Sequence, residues 1–419
     1  MAGDATLPRK RALDILGDVT EERRLLSEVL PKRTASLAPE DRARVQRLVT
    51  TTLRAMDRAD RALGPHLKKR PAPRVMNLLR LGMVEICDLV EAPHGVVNSA
   101  VAIARSDKKT EGMAGLVNAV LRKADIEGWP NLPIPRLPKW LRKPLVDDYG
   151  KEIVAAIEAA HYAGAPIDLT PKGEADAVAR AVGGTVLPNG TVRLAGQVQV
   201  TALPGYDAGD WWVQDVAASL PARVLGAKPG ERVLDLCAAP GGKTLQLAAA
   251  GADVTAVDVN AARMARVEEN LARTGLSATC VVSDALEYEA PAFDAVLLDA
   301  PCTATGTIRR HPDLPQAKDG ADFPGLFELQ EHLIDRALGL LKPGGRLVYC
   351  TCSLLIDEGE EQVRDALARH PGLRVEAISP GDTGFDFAVD ELGGLRLRPD
   401  FLPEQGGMDG FYIARFVKA

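Results

Sequence analysis

The stretch that most constrains this 419-residue chain begins at Gly230. From there, short β-rich runs alternate with helical patterns. Val233-Leu-Asp-Leu-Cys237 reads as a strand entering the loop Ala238-Ala-Pro-Gly-Gly-Lys-Thr244, where a helix opens. Further strands are expected at 253–259, 279–283, 293–300 and 346–352, with helices over 261–274 and about 325–341. Strands alternating with helices imply a doubly wound, mostly parallel sheet. Ligands on such sheets sit beyond the carboxyl ends of the strands. Five strand ends are therefore the places to search.

The chain before Gly230 reads differently. Residues 8 to about 128 carry helical periodicity, with Val97, Ala100, Val101 and Ala104, then Leu116, Val117, Val120 and Leu121, at the spacing of a buried face. The run Trp129-Pro-Asn-Leu-Pro-Ile-Pro-Arg-Leu-Pro138 is too rich in proline for a helix or a central strand and reads as a linker. Helices are expected between 139 and 162 and again at 174–182. Asn189-Gly190 between β-rich flanks predicts a hairpin. The expected layout is multi-domain: an all-α bundle over 1–130, linker helices with a small α+β module over 138–226, and an α/β Rossmann-like domain over 227–419.

Charge divides along the same line. The net charge of −6 conceals +8 over residues 1–150 and −14 over the remainder. A basic first third suits a negatively charged partner. Arg44, Arg47, Arg54, Arg58 and Arg61 would form one stripe on a continuous helix, followed by Lys68, Lys69 and Arg70. A solvated helix face gives the same pattern. No apolar run approaches the ~20 residues that span a bilayer, and Met1–Lys10 lacks the apolar core of a secretory signal. The six cysteines fit no disulfide framework, so reduced thiols in the cytosol are expected.

Three readings compete for the loop after the first strand. A phosphate-binding P-loop needs glycine where Cys237 stands, and the dinucleotide pattern G-x-G-x-x-G is absent. The third reading is S-adenosyl-L-methionine, with its carboxylate against the glycine turn and helix N-terminus. Asp258, ending the second strand, would meet the ribose hydroxyls and Asp284, ending the third, the adenine side. Strand-end aspartates also cap helices, which is the structural alternative for each.

The fourth and fifth strands end in Asp299-Ala-Pro-Cys302 and Thr351-Cys352-Ser353, so two thiols reach one rim. Cytosine C5 is a poor nucleophile until a group adds at C6. A thiolate there yields an enamine-like intermediate that attacks a sulfonium methyl, after which the C5 proton must leave. A free cysteine is more often a small buried hydrophobe, and Cys87, Cys237, Cys280 and Cys350 are assigned to that class. A zinc site from Cys302, Cys350 and Cys352 lacks a C-x-x-C pair and a fourth ligand, so no metal is expected.

Leu234-Asp-Leu-Cys-Ala-Ala-Pro-Gly-Gly-Lys-Thr244, Leu298–Cys302, Gly306–Asp313, Tyr349–Ser353 and Gly407-Met-Asp-Gly-Phe-Tyr-Ile-Ala414 resemble the NOL1/NOP2/Sun family of RNA cytosine-C5 methyltransferases. The first third, through Arg54, Leu79–Gly82, Val97-Asn98 and Gly115–Arg122, resembles the NusB-like helical RNA-binding domain. Together they are the layout of bacterial Sun-type enzymes acting on small-subunit ribosomal RNA. The resemblance implies Cys352 as nucleophile and Cys302 as the thiol that assists product release. It implies Asp299 on the cytosine N3 and amino edge and near the cofactor. It assigns Cys237, Ala238, Ala239, Pro240, Gly241, Gly242, Lys243, Asp258, Asp284 and Asp299 to S-adenosyl-L-methionine. Arg309, Arg310 and His311 after the catalytic loop are expected on backbone phosphates, with Arg44, Arg47, Arg54, Lys68, Lys69 and Arg70 in the basic third. Gln214-Asp215 matches a family element without an evident mechanism. The chain departs from the family at Thr303-Ala-Thr-Gly306, where Ser-Gly-Thr-Gly is usual, at Leu314–Lys318 and at Ile167–Lys172. The expected partner is a ribosomal RNA substrate, with no membrane, and the chain is expected to be a monomer. The alternatives are a tRNA or DNA cytosine methyltransferase and a catalytically silent RNA-binding protein.

Overall fold

A computed structural model describes residues 6–196 and 198–419. They form two compact units. One comprises the chain up to Ala163 together with Ile308–Gly320, and the other comprises Gly164–Thr307 with Ala321–Ala419.

The first unit is helical: α1 (Leu7–Thr20), α2 (Leu26–Thr34), α3 (Pro39–Arg54), α4 (Met56–Leu63), α5 (Pro73–Cys87), α6 (Pro93–Ser106), α7 (Ala114–Leu121), α8 (Lys139–Tyr149) and α9 (Lys151–Ala163). Proline opens α3, α5 and α6, where its missing N–H costs nothing and its fixed φ suits the first turn. Helix α5 is buried from Val75 through Cys87 and touches α1, α3, α4, α6 and α7, so it is the axis of the bundle. On it, Glu85 meets Arg9 of α1 in a buried ion pair at 2.8 Å.

Two expectations about this unit need correcting. The helix carrying the arginine stripe breaks at Ala55 (φ −93°, ψ 7°), so the five arginines do not share one face. Arg58 turns inward, donating to Tyr162 Oη at 2.6 Å and lying over the rings of Trp129 and Tyr162. The proline-rich run is also no domain boundary. Trp129 is buried in the helical core, and Arg58 donates to the carbonyls of Pro130 and Leu132. Helices α8 and α9 therefore belong to the bundle, and the division falls after Ala163 rather than at 130–138.

The second unit begins with the small module. Strands β1 (Ile167–Pro171), β2 (Thr185–Val186), β3 (Val192–Leu194) and β4 (Trp211–Val213) pair antiparallel in the order β2-β3-β1-β4. The expected hairpin is β2–β3, with Gly190 at φ +83° in its turn. Helix α10 (Ala175–Val182) packs on this sheet.

The large sheet holds β5 (Arg232–Leu236), β6 (Asp253–Asp258), β7 (Thr279–Val282), β8 (Phe293–Asp299), β9 (Leu341–Thr351), β10 (Arg374–Val375), β11 (Leu395–Leu397) and β12 (Phe411–Val417). The order is β10-β12-β9-β8-β5-β6-β7, with β11 also on β12. The five expected strands are parallel; β10, β11 and β12 join antiparallel pairings that the strand–helix alternation did not announce. Successive side chains point to opposite faces. Val233, Ala295, Leu297 and Val348 pack toward α11 (Val216–Leu225), while Leu234, Val296, Leu298 and Leu347 pack toward helix Phe323–Gly339. Both faces are covered, which is why these strands read as unbroken apolar runs. The chain goes β5-β6-β7 in one direction, then places β8 on the other side of β5. That reversal opens a crevice at the carboxyl ends of β5 and β8.

Candidate active site

The crevice is built by three strand ends. From β5 the chain enters the loop through Cys237 (φ +60°), turns at Gly241 (φ +100°) and starts α12 (Gly242–Ala249), whose N-terminus no side chain caps. Uncapped first-turn N–H groups and the helix dipole favour an anion. Asp258 holds this loop from the end of β6: its Oδ2 accepts from the Ala239 N–H at 3.1 Å and its Oδ1 from that of Asn260 at 2.9 Å. Asp284 is exposed beyond β7 and accepts from the Leu286 N–H. Gln214 explains the unassigned element. It accepts from Thr170 and Trp212, donates to Gln246, and packs against Gly242, where an added Cβ would stand 3.2 Å from its side chain. Asp215 caps α11 at Ala217 and accepts from the Asp409 N–H. Both shape the loop's surroundings.

Asp299, at the end of β8, lies in register with Cys350 of β9. Lys243 Nζ donates to its Oδ2 at 2.7 Å, and Cys350 Sγ stands 3.5 Å from its Oδ1. Burial lowers the Lys243 pKa, yet the Asp299 charge and hydrogen bond outweigh it and leave the ammonium held above its usual range. Lys243 of the glycine turn is thus bonded to Asp299. Burial and then Asp299 push the Cys350 thiol up, and the same two causes act on Cys237. Burial also raises Cys87, to about 11, and Cys280. Cys87 and Cys350 are buried, Cys237 and Cys280 half-buried.

The remaining two thiols meet. Cys302 Sγ and Cys352 Sγ are 3.5 Å apart, on the loops that leave β8 and β9, and the Gly306 N–H ties the loops together by donating to the Cys352 carbonyl at 2.9 Å. The hydrogen bond to Cys352, burial and the Cys352 charge all raise the Cys302 pKa. Gly306 is fixed by space: a Cβ there would lie 2.0 Å from the Gly410 carbonyl oxygen. Ala304 adopts φ +58°, the conformation for which glycine is preferred at the position where the family usually has it.

Buried groups that the sequence did not single out support this loop. Glu358 accepts from the Thr303 N–H and from Gln330, and Asp235 accepts from Thr244 Oγ1 at 2.6 Å beneath the glycine turn. Asp235 alternates with apolar neighbours inside a strand, a detectable signal. Glu358 sits in the acidic run 357–361, which looks like an ordinary exposed helix start.

The phosphate-contact expectations fare unevenly. Arg309 is fully buried in the helical unit and does not present its guanidinium to a phosphate. Arg54 is turned to the Arg309 carbonyl at 3.0 Å, and burial lowers its pKa, so it too is committed inside. Arg310, His311, Arg47, Lys68, Lys69 and Arg70 are exposed; Arg44 is half-buried, 3.8 Å from Glu91. Among the described residues no group of three or more His, Cys, Asp or Glu is arranged to hold a metal, and no helix is long and apolar enough to cross a membrane.

A parallel sheet with β12 inserted antiparallel beside β9, a glycine turn opening α12 and two facing thiols define a methyltransferase. A family model described as 16S rRNA methyltransferase RsmB/F matches residues 222–417, and one described as the NusB family matches residues 6–125. Ribosomal RNA small subunit methyltransferase B of Pseudomonas putida is 36% identical, with 98% of each chain covered. That of Vibrio vulnificus is 33% identical over 98% of this chain and 99% of its own. The chain belongs to the ribosomal RNA small subunit methyltransferase B family. Among solved structures, that of PH0851 covers 98% of this chain and 99% of its own at TM-score 0.75 and 23% identity. A methyltransferase homologue from Pyrococcus horikoshii covers 67% of this chain at TM-score 0.56 and 29% identity.

Proposed function

We propose that this chain transfers a methyl group from S-adenosyl-L-methionine to C5 of a cytosine in small-subunit ribosomal RNA, through a covalent adduct between Cys352 and C6. The 3.5 Å pairing of Cys302 with Cys352, beside Asp299, is the observation that carries the reading. The uncapped α12 N-terminus fits the donor's carboxylate, and the acids at the ends of β6 and β7 fit its ribose and adenine side. Bound there, S-adenosyl-L-methionine would supply an electrophilic methyl.

The target base must leave its stack to reach the thiols. Asp299 accepts from the cytosine 4-amino group on the N3 edge of the base. Cys352 Sγ adds to C6, and the C5=C6 pair moves to C5, which takes the methyl. Cys302 then receives the C5 proton, the C5=C6 bond re-forms, and the C6–S bond breaks to return Cys352 as a thiolate.

The proton arrangement gives these steps an order. Before addition, the hydrogen bond to Cys352, burial and the Cys352 charge raise the Cys302 pKa. Once Cys352 is a neutral thioether its charge is gone, while burial and the Glu358 charge still raise the Cys302 pKa and the Ala304 N–H lowers it. Cys302 then gives its proton to solvent more readily and becomes able to accept the one on C5. Release therefore follows adduct formation.

The helical unit would recruit the RNA through the exposed Arg47 and Lys68–Arg70, and six free cysteines fit the expected cytosolic setting. Mapping 5-methylcytosine on unmodified small-subunit RNA tests the reading. Wild type is expected to form it and Cys352→Ala to form none. Methylation of another base, or equal product from Cys352→Ala, overturns it.

A further inference from the structure

The two thiols sit on loops leaving neighbouring strands, and such loops need something to hold them at a fixed spacing. A fully buried carboxylate does so. Glu358 Oε1 accepts from the Thr303 N–H at 2.9 Å and from Gln330 Nε2 at 2.9 Å, and its Oε2 accepts from Thr303 Oγ1 at 2.5 Å. Its backbone carbonyl accepts from Tyr349 Oη and Thr351 Oγ1, both at 2.9 Å, which fastens it to the end of β9.

Thr303 immediately follows Cys302, and Ser353 immediately follows Cys352. Their hydroxyls lie 3.1 Å apart, and Thr305 Oγ1 completes a buried triangle at 3.3 Å from Thr303 and 3.2 Å from Ser353. The triangle is anchored on both loops: Thr305 Oγ1 accepts from the Leu354 N–H and Ser353 Oγ from the Leu355 N–H. Each hydroxyl has one proton to give, so a chain of three with no strong acceptor would be free to reorient. The Glu358 carboxylate removes that freedom by fixing the Thr303 proton. Charge-assisted bonds of this kind are stronger than neutral ones.

We propose that Glu358 is a positioning residue that, through Thr303, Thr305 and Ser353, holds Cys302 at working distance from Cys352 and so sets the rate of product release. The proposal rests on the adduct chemistry above. It separates Glu358 from the other buried carboxylates, because its three side-chain bonds converge on the residue after one thiol and the helix beneath it. Its side-chain bonds reach neither the glycine turn nor Asp299, so cofactor binding is expected to be unchanged.

The test compares Thr303→Val, Glu358→Ala and Glu358→Gln with Cys302→Ala, in the full chain. The readouts are the fraction of enzyme trapped on RNA after denaturation, the single-turnover release rate, and KM for S-adenosyl-L-methionine. Thr303→Val keeps the shape and strips the hydroxyl, leaving Glu358 Oε2 without that partner. Release is expected to slow at least about tenfold, with trapped adduct rising and cofactor KM unchanged. Glu358→Ala is expected to do the same or more. Glu358→Gln keeps the shape and lets the Thr303 hydroxyl accept from the amide while donating to Ser353, so release is expected within about threefold of wild type. Should Glu358→Ala melt early, Thr303→Val alone decides between the outcomes. Wild-type release by Thr303→Val, in a protein whose Cys302→Ala form traps adduct, overturns the positioning role. If Cys302→Ala traps none, the adduct chemistry itself fails and the proposal falls with it, a distinguishable result.

Discussion

Asp235 offers a test of the electrostatics under the glycine turn. Its carboxyl is fully buried in β5, with Oδ2 on Thr244 and Oδ1 without a hydrogen-bond partner among the described residues. Burial pushes its pKa from 3.8 to about 7, against the opposing pull of the Thr244 hydroxyl and the Lys243 charge. In the unfolded chain the group loses its proton near pH 4; in the folded protein it keeps it until about pH 7. The folded state therefore binds more protons between those values, and stability falls as pH rises through that window. Below it both states are protonated, and above it the loss is constant. Roughly three pKa units at about 1.4 kcal/mol each amount to about 4 kcal/mol. Asp235→Asn keeps the shape and an acceptor for Thr244 but has no proton to lose. The melting-temperature difference between variant and wild type should therefore grow between pH 4 and pH 7, then level off. At ~2–4 °C per kcal/mol for a unit of this size, the growth is about 8–16 °C. Scanning calorimetry of both proteins across that range measures it. A difference that does not change with pH refutes the reasoning.

Three further outcomes are expected. Gly82→Ala in α5 puts a Cβ 2.6 Å from Leu121 Cδ1; overpacking of about 1–3 kcal/mol against a helix-propensity gain of about 1 should lower the melting temperature of the helical unit, and a rise contradicts the packing. Arg9→Met strands Glu85, whose pKa burial already raises, and should cost about 3–5 kcal/mol at neutral pH. That cost should shrink as acid protonates Glu85, which denaturation at two pH values would read. Replacing Lys68, Lys69 and Arg70 with Glu should flatten the logarithmic salt dependence of RNA binding by about 2, and an unchanged slope removes them from the phosphate contacts.

The parallel strands were legible because burial on both faces forces apolar runs such as Ala295–Leu298, and the β2–β3 hairpin because only glycine suits the φ of Gly190. The pairing of Cys302 with Cys352 was legible because strand-end position places residues 50 apart in sequence on one rim. Other features were set by tertiary contacts that leave no local mark. The proline-rich run reads as a linker because proline excludes helix, yet the burial of Trp129 and the bonds of Arg58 make it part of the bundle. Ile308–Gly320 leaves the catalytic sequence to join the helical unit, with Asp313 accepting from the Leu26 N–H. Arg309 looked like a phosphate ligand for want of any signal that it would be buried. Glu358 is one acid among several at 357–361, and only the fold distinguishes it.

The claim that Cys352 is the nucleophile and Cys302 the releasing thiol meets its most direct test in one mass measurement. Cys302→Ala is incubated with small-subunit RNA and S-adenosyl-L-methionine, denatured, digested with nuclease and protease, and the peptide-bound nucleotide is sequenced by mass spectrometry. A methylated cytidine attached to the peptide carrying Cys352 is expected. Attachment at another residue, or turnover with no adduct at all, contradicts it.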